Sequence, residues 1–247
     1  MSTTETIPVL SRPGASMQSA INDFSIQVAT VNGSGSQTAN TVLMRALFQM
    51  GIPVSGKNLF PSNIAGLPTW FTIRASHRGY IARKKEVDFL VAMNPETARE
   101  DALRLKAGAA VIYDEPLKLA DLRADLHFYP VPFDKLVGPV CPEARLRKLV
   151  RNMIYAGVVA KLLGMEIEEV RTALFKQFGA RKAKAAELNW GAVLAGPSGP
   201  TVNLPPPTSM KSAPSWISSS PTSNSRLSLP KRLSTVVRCW ASGTTIT

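Results

Sequence analysis

Short apolar runs of strand length alternate with helical-period stripes along most of this chain. Residues 24–31 read as a buried strand and end at a glycine-rich turn, Asn32-Gly33-Ser34-Gly35-Ser36. A helix is predicted over 37–50, where Ala39, Val42, Leu43, Ala46, Leu47 and Met50 recur at helical spacing; Gly51 then closes it. Residues 52–59 are extended. Residues 69–75 and 80–83 are predicted to pair as a hairpin around Ser76-His77-Arg78-Gly79. Buried strands are predicted at 87–93, 109–113 and 126–131, with a helix from Pro95 to about 106, proline being tolerated in a first turn. The C-terminal part turns helical. Leu146, Leu149, Val150, Met153, Ile154, Gly157, Val158 and Leu162 make one stripe after Pro142. A second helix opens on Glu166, Glu168 and Glu169, which suits the helix dipole, and ends at Phe178 before Gly179.

Strand–turn–helix–strand, followed by further strand–helix–strand steps, predicts an α/β fold. The expected architecture is a Rossmann-like, mostly parallel open sheet with an added β-hairpin and a lid of C-terminal helices. Between the first helix and the hairpin lies an unusual loop, Phe60-Pro61-Ser62-Asn63-Ile64-Ala65-Gly66-Leu67-Pro68-Thr69-Trp70. Pro61 and Pro68 lock their φ angles and Gly66 admits unusual ones, so the loop has a fixed shape. Its apolar residues Pro61, Ile64, Leu67 and Trp70 are the candidate interface, against the plainer reading of a packed crossover.

Composition changes this picture at the two ends. The 247 residues are 45% hydrophobic, enough for a sizeable core, and carry a net charge of +12. That charge is unevenly spread: five of the 29 cations and none of the 17 acids lie after residue 196. Residues 1–22 are expected to form a flexible arm, residues 23–195 the folded domain, and residues 196–247 a disordered tail. The tail from 197 on holds eight prolines and twelve serines without periodicity. It also holds Trp216, Trp240, Cys239 and Ile217, which a disordered linker seldom carries. An out-of-frame translation accounts for both facts, against a genuine Pro/Ser-rich basic tail.

Candidate chemistry is sparse. Two cysteines, Cys141 and Cys239, lie far apart with no Cys-x-x-Cys, so no iron–sulfur ligand set and no metal site is expected. Cys141 reads as a small buried hydrophobe. The N-terminus shows neither the charge nor the apolar run of a signal peptide, no run is long enough to span a bilayer, and a cytoplasmic setting fits. Gly33, Ser34, Gly35 and Ser36 precede a helix N-terminus, where backbone N–H groups favour an anion, so they are the candidate phosphate contact. The turn is not G-x-G-x-x-G, since Thr38 takes the third glycine's place and Lys57 and Asn58 stand where a ribose-binding acid belongs; a structural tight turn is the plainer reading. Arg74 is read as a solvated or salt-bridged hairpin arginine. His77 has no nucleophile in a recognisable pattern and is given no catalytic role. Arg145, Arg147, Lys148 and Arg151 read as a solvated helix face, and without interleaved aromatics they do not make a nucleic-acid groove.

The glycine turn, the loop 60–70, Ile73-Arg74-Ala75-Ser76 and Val87-Asp88-Phe89-Leu90-Val91-Ala92-Met93-Asn94 together resemble one family. It is the gamma domain of 2-oxoacid:ferredoxin oxidoreductases, in the form fused at the N-terminus of the alpha subunit of the 2-oxoglutarate enzyme. The resemblance covers about two-thirds of the chain in the expected order. It implies an enzyme that decarboxylates a 2-oxoacid on thiamine diphosphate with Mg2+, passes electrons through iron–sulfur clusters to ferredoxin, and forms an acyl-coenzyme A. It implies as partners a beta subunit, the remainder of the alpha subunit, and ferredoxin through the complex. In the family these cofactors are held elsewhere, so this chain is expected to be an assembly module with no catalytic residue. The alternative is a stand-alone phosphate- or nucleotide-binding domain.

Overall fold

A computed structural model describes residues 22–61 and 64–198. The chain divides into two units, residues 1–212 and 213–247, and everything described belongs to the first. The expected arm apart from Asn22, nearly all of the expected tail, and the frame question lie outside the described residues.

Six strands form one sheet: β1 (Asp23–Val31), β2 (Val54–Leu59), β3 (Pro68–Ser76), β4 (Phe89–Ala92), β5 (Ala110–Asp114) and β6 (His127–Val131), in the spatial order β2-β3-β1-β4-β5-β6. The pairs β1–β4, β4–β5 and β5–β6 are parallel, and β3 is antiparallel to both β1 and β2. Six helices follow in chain order: α1 (Ser36–Gln49), α2 (Ala98–Leu103), α3 (Phe133–Val140), α4 (Ala144–Leu162), α5 (Ile167–Phe178) and α6 (Ala183–Ser198). The expected fold class holds.

Strand periodicity explains the layering. Val91 and Ile112 join a core with α1 and the helices from α3 onward, whereas Leu90, Ala92, Val111 and Tyr113 join a second core with α2. Successive strand residues point to opposite faces, so one sheet feeds two cores and is covered on both sides. Cys141 is buried in the larger core, as expected.

Three expectations need correction. The hairpin is β2–β3, joined by the loop 60–67, and residues 80–83 form no strand. Strand β3 has two ladder edges, and β1 and β2 occupy both. The turn at 76–79 survives, with Gly79 N–H donating to the Ser76 carbonyl. The helix expected from Pro95 starts only at Ala98, because the Asn94 side chain accepts the Glu96 N–H at 3.0 Å and holds a turn there. Helix α6 carries the chain to Ser198, three residues beyond the expected domain end at 195.

Helices α3 and α6 had no sequence signal strong enough to read. Helix α6 carries five alanines and two glycines in its 16 residues and approaches α4 through its backbone. A Cβ at Gly157 would lie 1.9 Å from the Val193 carbonyl oxygen, and one at Gly196 would lie 2.5 Å from that of Ile154. No helix among the described residues is long and apolar enough to cross a membrane.

Candidate functional site

The crossovers diverge between β1 and β4. After β1 the chain goes through α1 to β2 on one side; after β4 it goes through α2 to β5 on the other. In open α/β sheets ligands bind outside the carboxyl ends of the strands at such a switch point. The glycine turn lies there. Gly33 and Gly35 hold φ of 82° and 83°, in the left-handed region that side chains disfavour.

Helix α4 packs over this turn. Asn152 Nδ2 donates to the Ser34 carbonyl at 2.7 Å, and a Cβ at Gly35 would meet Leu149 Cδ2 at 2.6 Å. The close approach that glycine permits at Gly35 is therefore used by Leu149. Below the turn, the fully buried Tyr155 Oη lies 3.1 Å from the Ser36 carbonyl and 2.9 Å from Asn40 Oδ1. The Ser36 hydroxyl is paired with Thr30 Oγ1 at 2.9 Å. Of the four expected contact residues, only Ser34 keeps a buried hydroxyl with no partner among the described residues.

The other side of the turn is bound to the loop. Asn32 N–H donates to the Leu67 carbonyl at 2.8 Å, Gly66 N–H to the Asn32 carbonyl at 3.0 Å, and Asn32 Nδ2 to the Ile64 carbonyl at 3.2 Å. These bonds bring the glycine turn and the expected interface together. Pro61, Ile64 and Leu67 are exposed, Ile64 at 65%. Trp70 is not grouped with them. It is half-buried against the α2 core, and its Nε1 donates to both Asp101 carboxylate oxygens at 3.1 and 3.0 Å. Burial pushes the Asp101 carboxyl above its ordinary pKa, and the indole bond works against that shift.

Further along the same edge, at the end of β4, Asn94 is fully buried and its Nδ2 has no partner among the described residues. Asp114, at the end of β5, faces Arg151 of α4 at 3.5 Å; Arg151 also pairs with Asp134 at 2.9 Å. Burial raises the Asp114 pKa, and Arg151 opposes the rise. Sequence reading placed Gly33 to Ser36 here but missed Asn94, Asn152, Tyr155 and the Arg151 cluster. Asn152, a polar residue next to the apolar stripe of α4, was the one available signal.

The basic residues of α4 do not form one free face. Arg145 pairs with Glu143, Arg147 Nε donates to the Cys141 carbonyl at 2.9 Å, and Arg151 is bound as above; Lys148 is exposed. Arg74 is salt-bridged but not solvated: it is buried, pairs with Asp23, and donates to the Phe24 carbonyl at 3.1 Å. His77 is exposed in its turn. No group of three His, Cys, Asp or Glu side chains among the described residues could hold a metal ion.

Asp23 titrates accordingly. The bond from Lys84 at 2.8 Å and the Arg74 guanidinium lower its pKa from 3.8 to about 2, against a rise from burial. A depressed carboxylate contributes stability above the unfolded pKa and loses it as pH falls through the folded one. Stability is therefore expected to drop between about pH 4 and pH 2, by on the order of 1 kcal/mol once screening of this half-exposed group is allowed for. Urea titrations of the wild type and Asp23→Asn across that range check this. Equal pH slopes in the two proteins would assign the acid loss to other groups.

Comparison with known proteins places the chain. Residues 25–198 match the family described as pyruvate ferredoxin/flavodoxin oxidoreductase. Subunit alpha of 2-oxoacid:ferredoxin oxidoreductase 2 from Aeropyrum pernix is 20% identical over 166 residues, 66% of this chain; the chain spans only 26% of that protein's length. Among solved structures, the 2-oxoglutarate:ferredoxin oxidoreductase of Magnetococcus marinus, with 2-oxoglutarate, coenzyme A and succinyl-CoA bound, aligns at TM-score 0.60 and 20% identity. That alignment covers 77% of this chain and 34% of the relative. The gamma subunit of a keto/oxoacid ferredoxin oxidoreductase from Geobacter sulfurreducens aligns at TM-score 0.58 and 18% identity, over 70% of this chain and 95% of that one. A pyruvate oxidoreductase subunit from Thermotoga maritima gives 0.57 at 14%, covering 71% and 95%. The structural likenesses establish the shared fold, and the match across the whole described domain establishes the lineage: the chain belongs to the pyruvate ferredoxin/flavodoxin oxidoreductase family.

Proposed function

We propose that this chain is the gamma-domain portion of the alpha subunit of a cytoplasmic 2-oxoacid:ferredoxin oxidoreductase, with 2-oxoglutarate as the 2-oxoacid. In this reading it assembles and shapes the enzyme and carries no active site of its own. The supporting observation is the exposed apolar trio Pro61, Ile64 and Leu67, in a loop bound to the glycine turn by three hydrogen bonds at Ile64, Gly66 and Leu67. A lone domain gains nothing from holding apolar side chains rigidly in water. Docked on the beta subunit, or on the remainder of an alpha subunit, Pro61, Ile64 and Leu67 would gain roughly 25 cal/mol for each Å² of apolar surface covered. In the family this chain resembles, thiamine diphosphate, Mg2+ and iron–sulfur clusters are held by other domains, and this reading keeps them there. Coenzyme A is the one cofactor this reading lets the chain touch, with a phosphate at the Gly33–Ser36 turn; the phosphate would have to displace Leu149, which packs at Gly35, and this contact is the point at which the alternative of a stand-alone phosphate-binding domain would also act.

The double variant Ile64→Asp, Leu67→Asp tests the assembly role. Its association with a co-expressed beta subunit should weaken at least about tenfold, a loss of about 1.4 kcal/mol. The melting temperature of the isolated chain should move by less than about 2 °C. Unfolding of the isolated chain would instead place the loop in the domain's own core. Purified alone, the chain should give no 2-oxoglutarate-dependent reduction of a viologen dye in the presence of coenzyme A and thiamine diphosphate; turnover would overturn the assembly role.

A further inference from the structure

The sheet ends at β2 on one side, and that edge is open. Ser76 N–H donates to the Pro53 carbonyl at 3.0 Å, which makes Pro53 and Ser76 a bonded antiparallel pair. Bonded and non-bonded pairs alternate, so Ser55, Lys57 and Leu59 spend their backbone groups on β3, whereas Val54, Gly56 and Asn58 turn theirs outward. Among the described residues no strand pairs with that outer edge. Residues 56–60 are all exposed, including Leu59 and Phe60 at about half of their surface. An open edge of this kind is a template for an added strand.

The surroundings of the edge select what can be added. The segment 77–86 is pinned beside it, with the Ile81 carbonyl accepting from Ser55 Oγ at 2.9 Å and Lys84 tied to Asp23. This strap exposes Tyr80 at 58% and Ile81 at 72%. It carries Arg78, Arg83, Lys84 and Lys85 against a single acid, Glu86. Lys57 lies on the strap side of β2, because Ser55 and Lys57 are two residues apart and share a face. Lys57, Arg78, Arg83 and Lys85 are exposed and unpaired among the described residues, whereas most other cations near the sheet are bound. A second copy of this chain is a poor occupant, since two-fold pairing at β2 would set like charges against one another.

We propose that the β2 edge and the 77–86 strap form a β-augmentation site for an extended acidic segment of another protein. That segment alternates carboxylates, facing Lys57 and the strap, with apolar residues on its other face. The site adjoins the loop 60–67 at Phe60 but does not rest on the assembly role proposed for that loop.

A fluorescein-labelled peptide of four Val-Glu repeats is the probe, with four Val-Lys repeats as control, and anisotropy on the full chain is the readout. Saturable binding of the acidic peptide alone is expected, weakening as salt rises from about 0.05 to about 0.3 M. Asn58→Pro removes one outward N–H, leaves the backbone ladder to β3 intact and gives up only the Asn58 Oδ1 acceptor of Thr69, whose hydroxyl also reaches the Leu59 carbonyl at 3.3 Å; it should weaken binding about tenfold. Arg83→Glu with Lys85→Glu should weaken it at least as much, with both variants keeping the wild-type circular dichroism. Equal affinity for the basic peptide, no saturation by roughly 1 mM, or indifference of folded Asn58→Pro and of the charge variant would each overturn the proposal.

Discussion

Replacing Gly157 by alanine is expected to destabilise the domain by on the order of 3 kcal/mol. The added Cβ would sit 1.9 Å from the Val193 carbonyl oxygen and 2.8 Å from its carbon, both backbone atoms that no rotamer change can move. The contact is reciprocal, because Gly196 of α6 makes the same approach to the Ile154 carbonyl of α4. Relief requires the two helices to separate. That would loosen the packing of the α4 residues Ile154 and Val158 and the α6 residues Ala192 and Val193, all fully buried. The gain in helix propensity from glycine to alanine is about 1 kcal/mol and does not offset this. Gly138 of α3 supplies the control, having nothing within 4 Å of its would-be Cβ, so Gly138→Ala should be neutral or slightly stabilising. Urea unfolding followed by circular dichroism reads both variants. A Gly157→Ala midpoint within about 0.5 kcal/mol of wild type would mean that α6 does not pack on α4 as described.

Tyr155→Phe is expected to cost about 1–3 kcal/mol with almost no change in packed volume. The phenol is fully buried and serves the Ser36 carbonyl and Asn40 Oδ1, both within α1, from a residue more than a hundred positions away. Phenylalanine would leave those acceptors in a dry site. Burial also pushes the phenol's pKa far above its ordinary value, so Tyr155 should remain neutral wherever the protein is folded. Absorbance at alkaline pH checks this: one tyrosine should ionise only together with unfolding. Early ionisation, or a Tyr155→Phe variant as stable as wild type, would show that α4 does not anchor the start of α1.

The legible part of this protein was the part with local physical causes. The strand β1, the glycine turn and helix α1 follow from an apolar run, two glycines that the structure holds at positive φ, and a 3.6-residue period. The same holds for α4, with its apolar stripe, and for α5, with its glutamates near the start. The family resemblance rested on such short stretches as well, and the match over residues 25–198 bears it out. The hairpin was misassigned because a turn at 76–79 does not say which strand lies across from β3; that depends on β1 and β2 competing for its edges.

The candidate site divides along the same line. Residue types alone identified the loop 60–67 as stiff and the glycine turn as a structural or anion-binding corner. Only the tertiary structure joined the two through Asn32, and only it laid Leu149 and Asn152 across the turn. It also turned Trp70 inward to Asp101 and buried Arg74 beside Asp23. Backbone propensity and hydrophobic period are properties of neighbouring residues, so the sequence by itself determined β1, the glycine turn, α1, α4, α5 and the α/β class. Pairings between residues tens to more than a hundred positions apart depend on which surfaces meet when those elements pack. The closure of the turn by α4, the glycine contact of α4 with α6 and the open β2 edge were therefore decided only in three dimensions.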